Sequence, residues 1–136
     1  MASLIDLVNN LIIGTSIQPD VAAVAAATTN GDYVDMRGAA APVHGYFAIG
    51  AVGGSPTSFT VTCTLREADD TAGLNEGAVA EAGTSTLVLT ADDANGFVRG
   101  LRARRQVRCR VVTAFTGGTS PTIALFAAVM SQDKSF

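Results

Sequence analysis

From residue 32 onward, polar and apolar side chains alternate with a period of two, the spacing that gives a β-strand one buried and one exposed face. SFTVTCTLRE at 58–67 shows it most plainly: Phe59, Val61, Cys63 and Leu65 alternate with Thr60, Thr62 and Thr64. QVRCRVVTAF at 106–115 repeats the pattern, with Val107, Cys109, Val111 and Phe115 on one phase and Arg108 and Arg110 on the other. VHGYFAIGA at 43–51 puts Val43, Phe47 and Ile49 on one face and His44 and Tyr46 on the opposite one. Shorter candidates lie at 32–36, 77–82, 85–90 and 97–102. PTIALFAAVM at 121–130 is apolar on both phases: Ile123, Leu125, Ala127 and Val129 on one, Ala124, Phe126, Ala128 and Met130 on the other. A sandwich buries one face of each strand, so the second apolar phase predicts a further contact, such as a dimer seam.

Eight short strands joined by turns, with no long helix between them, predict an all-β fold, an eight-stranded antiparallel β-sandwich of jelly-roll type over residues 32–136. Residues 1–31 read as an N-terminal helical and extended arm. Ser3 can cap a short helix, Gly14 can end it, and Leu4, Leu7, Val8 and Leu11 share one face. The Thr-, Ala- and Asn-rich stretch that follows reads as a connector. On this reading, deleting 1–18 leaves a folded sandwich that attaches poorly to its partner.

One connector occurs twice. AVGGSPTSF at 51–59 and FTGGTSPTI at 115–123 share a Gly-Gly pair and a Ser-Pro step before an apolar run. Glycine permits positive φ and proline sets the approach to the next strand. The expected arrangement is two hairpins of the same turn chemistry, 43–51 with 58–67 and 106–115 with 121–130.

The 136 residues suit one domain, and 23 alanines make the 48% hydrophobic content less bulky than it sounds. A net charge of −3 gives no bulk drive toward nucleic acid. Cys63 and Cys109 are too few for a disulfide scaffold and fall on the inward phase, which predicts buried free thiols. No basic residue precedes the apolar N-terminal stretch, and Asp6, Asn9 and Asn10 interrupt it, so it reads as neither an export signal nor a membrane span. The single histidine, His44, lacks a companion base or nucleophile. No zinc spacing, nucleophile elbow or phosphate loop is present, so no enzyme, metal or cofactor is expected.

The sharpest polar feature is VRGLRARRQVRCR. It holds six of the nine basic residues, Arg99, Arg102, Arg104, Arg105, Arg108 and Arg110. Three readings compete: a nucleic-acid surface, which lacks interleaved aromatics; internal pairing with EADD at 67–70 and the Asp92–Asp93 pair; and docking on an acidic partner.

The run LREADDTAG, the later GLRARRQVRCRVV and the closing FTGGTSPTIALFAAVM together resemble small structural proteins of tailed bacteriophages, within them the cement (decoration) proteins of short-tailed double-stranded DNA phages. Gln106 stands where that pattern has an aromatic, and Ala68 where it has a serine. The resemblance spans roughly residues 32–130. It implies a virion protein, assembled in the host cytoplasm, that sits on the outer surface of an HK97-type capsid and bridges major capsid subunits, often as a homodimer. The alternative is a fibre or tail-associated β-sandwich with a glycan or protein ligand. Candidate contacts with capsid or second copy are Leu4, Leu7, Val8, Leu11, the six clustered arginines, Phe126 and Met130.

Overall fold

The computed structural model describes residues 11–18, 24–81 and 86–133. They form eleven strands: β1 (Leu11–Ile17), β2 (Thr28–Asn30), β3 (Val34–Asp35), β4 (Ala39–Ile49), β5 (Ser58–Ala68), β6 (Gly77–Ala78), β7 (Ala80–Glu81), β8 (Thr86–Leu89), β9 (Asn95–Leu101), β10 (Gln106–Thr116) and β11 (Leu125–Asp133). One sheet runs β1-β11-β4-β9-β7. The other runs β2-β10-β5-β6, with β3 also on β10 and β8 also on β5. All pairings are antiparallel. With β2 and β3 taken as one broken strand and β6 and β8 as another, this is a jelly-roll-like order.

The expected strands are present, with corrections. The weak candidate at 77–82 is split into β6 and β7, which belong to opposite sheets. The last strand begins at Leu125 rather than Pro121. Residues 121–124 carry the chain between sheets and make only isolated bridges, Val24 to Ile123 and Gly53 to Thr122.

The larger correction lies at the N-terminal side. Residues 11–14 are not the end of a helix: Leu11–Ile17 is the edge strand of the five-stranded sheet, paired along β11. β-branched residues dominate LIIGTSI and favour extended backbone over helix. Gly14 does not cap a helix; it lies in the strand, where an added Cβ would stand 2.4 Å from Val34 Cγ1. Nor is 15–31 a free connector where it is described. Ser16 is buried, its hydroxyl donates to the Asp32 carbonyl at 2.8 Å, and it accepts from the Cys109 N–H at 2.9 Å. Ser16 thereby joins the edge of one sheet to the centre of the other. The expected boundary after Gly31 falls between β2 and β3, both hydrogen-bonded to β10. Leu4, Leu7 and Val8 lie outside the described residues.

The two Gly-Gly connectors are not hairpin turns. β4 pairs with β11 and β5 pairs with β10, so each connector takes the chain from one sheet to the other. They then lie against each other. Thr119 N–H donates to the Gly54 carbonyl at 2.8 Å. A Cβ on Gly54 would meet the Thr119 carbonyl at 2.5 Å, and one on Gly118 would meet the Gly54 carbonyl at 2.6 Å. Gly54 and Gly118 also take positive φ, 77° and 83°, so backbone contact and conformation both demand glycine there. The repeat builds a clasp in which β4–connector–β5 and β10–connector–β11 have twofold-related connectivity.

Between the sheets lie Phe47, Met36, Ile123, Leu65, Val43, Val61, Val98, Val107, Val111 and Val129, all buried. Gly45 on β4 leaves room for Leu65 from the opposite sheet, since a Cβ there would stand 2.8 Å from Leu65 Cδ2. Cys63 and Cys109 are free and buried, as their phase predicts. Burial pushes each thiol up to about 12, so both stay protonated and unreactive at neutral pH.

Candidate protein-binding faces

Of the residues singled out from sequence, Arg99, Phe126 and Met130 lie on the outer face of the five-stranded sheet, Arg108 and Arg110 on that of the six-stranded sheet, and Arg102, Arg104 and Arg105 in the loop between β9 and β10. On the five-stranded sheet the register sets outward side chains in rows that cross four strands. Ile13, Met130, His44 and Arg99 form one row; Thr15, Ala128, Tyr46 and Phe97 form the next; Phe126, Ala48 and Asn95 continue it. Tyr46 is the centre of an aromatic cluster, with ring centroids 5.1 Å from Phe97 and 6.1 Å from Phe126. Large apolar groups stay open to solvent: Ile13 is 59% exposed, Phe97 54% and Leu101 42%. The second apolar phase of the last strand, with Phe126 and Met130, lies within this face. Leu11 is at the end of β1, opposite Gln132.

Ile13, Tyr46, Phe97 and Leu101 were absent from the sequence-derived candidates. Phe97 and Leu101 share a phase with Arg99, which a single-strand reading takes as a solvent face. Only the register that places them beside Tyr46 and Phe126 reveals one patch. Arg99 is exposed, and it makes no ion pair or hydrogen bond through its side chain among the described residues.

The other five clustered arginines have oxygen partners in the chain. Arg102 donates to the carbonyls of Ala40 and Arg104, each at 3.2 Å, and to that of Ala39. Arg104 meets Asp69 at 3.3 Å and Glu67 at 3.9 Å, and buried Glu67 also accepts the Ala103 N–H at 2.7 Å. Arg105 grips Asp35 with two bonds of 2.9 and 2.6 Å. The hydrogen bond from Arg105, then that from the Arg37 N–H, holds the Asp35 carboxyl down at about 2.

Arg108 and Arg110 lie on the outer face of the six-stranded sheet, where Arg108 stands directly opposite Arg66. Like charges in that position repel. Glu76 resolves the conflict, accepting from Arg66 at 3.3 Å, from Arg108 and from the Tyr33 hydroxyl, with Arg110 at 4.0 Å. The Arg108 guanidinium also lies 4.6 Å over the Tyr33 ring. Burial works to raise Glu76, but the Tyr33 and Arg66 hydrogen bonds and the arginine charges outweigh it and the carboxyl titrates below its ordinary range. Burial first, then the bond to Glu76, raises the Tyr33 hydroxyl. The rest of this face is lined by Thr60, Thr62, Thr64 and Thr86, with exposed Val88 and Val112.

Two open grooves flank the connector clasp. One, about 490 Å³, is lined by Val52, Pro56, Phe59 and Asp92; the other, about 480 Å³, by Ala25, Phe115 and Pro121. Among the described residues no group of three His, Cys, Asp or Glu side chains is placed to hold a metal ion, and no helix is long and apolar enough to cross a membrane.

No protein-family model matches the chain. No curated protein matches it either. Among solved structures, it is similar to a chain of the T13 IBDV viral particle, with 13% identity over 90% of this chain and 31% of that one and a TM-score of 0.39. It is similar to the C-terminal domain of EclA, a sugar-binding protein, with 13% identity over 86% and 76% of the two chains and a TM-score of 0.37. A chain of the infectious bursal disease virus Gx strain gives 12% identity over 93% and 30%, with a TM-score of 0.41. The chain spans about a third of the length of the viral chains. These are loose likenesses of a β-sandwich to viral-particle and sugar-binding proteins.

Proposed function

We propose that this chain is a non-catalytic structural protein of a bacteriophage particle, which binds the outer surface of an HK97-type capsid and bridges major capsid subunits, working as a homodimer. The observation that carries the docking role is the outer face of the five-stranded sheet. Exposed Ile13, Phe97 and Leu101, around a Tyr46-centred aromatic cluster, make an apolar surface of the kind that marks protein contacts. The capsid as the partner comes from the sequence resemblance. The test is quantitative mass spectrometry of purified particles, with co-sedimentation of the pure protein on capsids made without it. Copy numbers comparable with the major capsid protein, and saturable attachment, are expected. A handful of copies per particle would exclude a shell role.

A second reading is a fibre or tail-associated binding module. Its specific support is the pairing of Tyr46 and exposed Phe97 beside His44, Arg99 and Asn95, aromatic surface flanked by hydrogen-bonding groups. Binding to a defined oligosaccharide, abolished by Phe97→Ser, together with low copy number, would establish it over the capsid reading.

A further inference from the structure

We infer that the outer face of the five-stranded sheet docks on a different protein rather than on a second copy of this chain, and that the partner presents an apolar ridge carrying a carboxylate that pairs with Arg99. This rests on the reading that the chain works by docking through that face.

The argument is one of charge complementarity. Arg102, Arg104, Arg105, Arg108 and Arg110 all have oxygen partners within the chain, whereas Arg99, in the same cluster, has none among the described residues. Arg99 sits among apolar groups: Phe97 and Leu101 precede and follow it on the same face of β9, and the row beside it continues through His44 and Met130 to Ile13. Covering those groups withdraws the guanidinium from water, and an arginine buried without an acceptor is costly. A stable partner must therefore bring acceptors to this point, and a carboxylate both accepts and offsets the charge.

A second copy brings no carboxylate from the described side chains of this face. A closed dimer contact is isologous, so the patch would pack against itself. The described residues of this face include no carboxylate; its charged or titratable side chains are Arg99, His44 and the Tyr46 phenol. Self-packing would set arginine and histidine against the same set and offer Arg99 only neutral acceptors such as Asn95, with no counter-charge among the described residues. Any homodimer uses another surface, so the seam expected from the apolar outer phase of β11 is a contact with a different chain.

The test uses the full chain. Phe97→Ser, Arg99→Glu and Arg99→Lys are compared with wild type, and with Val112→Ser on the opposite face, in binding to capsids made without the protein. Thermal melting and sedimentation velocity are recorded for each. Phe97→Ser and Arg99→Glu are expected to bind roughly thirtyfold more weakly, the loss typical of a truncated interface hot spot, with melting and sedimentation unchanged. Arg99→Lys should retain much of the binding and Val112→Ser nearly all. In parallel, Phe97 is replaced by p-benzoylphenylalanine, and whole particles are irradiated. A cross-link to an apolar segment of another chain, beside an Asp or Glu, is expected. A cross-link between two copies, no cross-link, or full capsid binding by both Phe97→Ser and Arg99→Glu overturns the inference and leaves the capsid reading untouched. Wild-type protein that ignores capsids while position 97 links to such a segment of a tail or fibre chain sinks the capsid reading and upholds the inference.

Discussion

The two outer faces of the sandwich solve opposite problems. The six-stranded sheet carries the more charge, yet its charges are used up internally: Arg66, Arg108 and Arg110 surround Glu76. The five-stranded sheet carries little charge, yet its aromatic cluster and Arg99 have no cover among the described residues. A cluster of arginines in sequence is thus a poor guide to a docking surface when each guanidinium already has a partner. An apolar stretch on an outward phase is the better guide, because neither water nor the chain's own core satisfies it.

Several perturbations would break or sharpen that contrast. The largest effect is expected from deleting residues 1–18. The deletion removes β1, with buried Ile17 and Ser16 and half-buried Ile12, and leaves β11 as an edge. Apolar burial alone accounts for about 4 kcal/mol, a large share of the roughly 5–15 kcal/mol that stabilises a domain of this size. Loss of the cooperative melt by circular dichroism is expected. A truncated protein that melts like the full chain would show that β1 is dispensable and restore the detachable arm expected from sequence.

Next is Glu76→Gln. It leaves Arg66 and Arg108 facing each other across the ladder without a counter-ion. A buried ion pair broken on one side costs about 3–5 kcal/mol; with the Glu76 side chain 17% exposed, about 2 kcal/mol is expected after solvent screening. Adding Arg66→Thr should return part of the loss. Chemical denaturation measures both, and an additive or larger loss in the double variant would contradict the shared-carboxylate account.

A smaller effect is expected from pH. Asp35 and Glu76 titrate below their ordinary ranges in the fold, so their contribution is complete above about pH 5 and is lost as pH falls through the folded values, near 2 for Asp35. Tyr33, Cys63 and Cys109 are raised, so their contribution is complete below the ordinary values of 9.0 for the thiols and 10.0 for Tyr33 and is lost as pH rises beyond them. Melting temperature should be flat between these limits and fall on both sides. Glu76→Gln should flatten part of the acid limb, and an unchanged limb would mean that Glu76 does not contribute to it. The smallest change is expected from Phe97→Ser, within about 0.5 kcal/mol of wild type because the ring is already mostly in water. A loss of several times that would mean the aromatic face holds the fold together rather than waiting for a partner.

Period-two alternation was enough to locate the long strands and to tell inside from outside on them. Val43, Phe47 and Ile49 point inward and His44 and Tyr46 outward, while the threonines of β5 line a solvent face, because pleating makes side-chain direction a local property. The same locality placed Cys63 and Cys109 in the core. Pairing is not local. Which strands meet depends on how the whole chain closes, and two connectors, each with a Gly-Gly pair and a Ser-Pro step, that look like hairpin turns prove to cross between sheets and clasp each other. The helix expected to run to Gly14 fails at its described end for a related reason: Leu11 fits a helical stripe with Leu4, Leu7 and Val8, but Leu11–Ile17 gains a partner strand in β11 more than a hundred residues away. Of the candidate site, sequence named Arg99, Phe126 and Met130. Tyr46, Phe97 and Ile13 joined them only through register, since a docking face is assembled across strands and no single strand contains it.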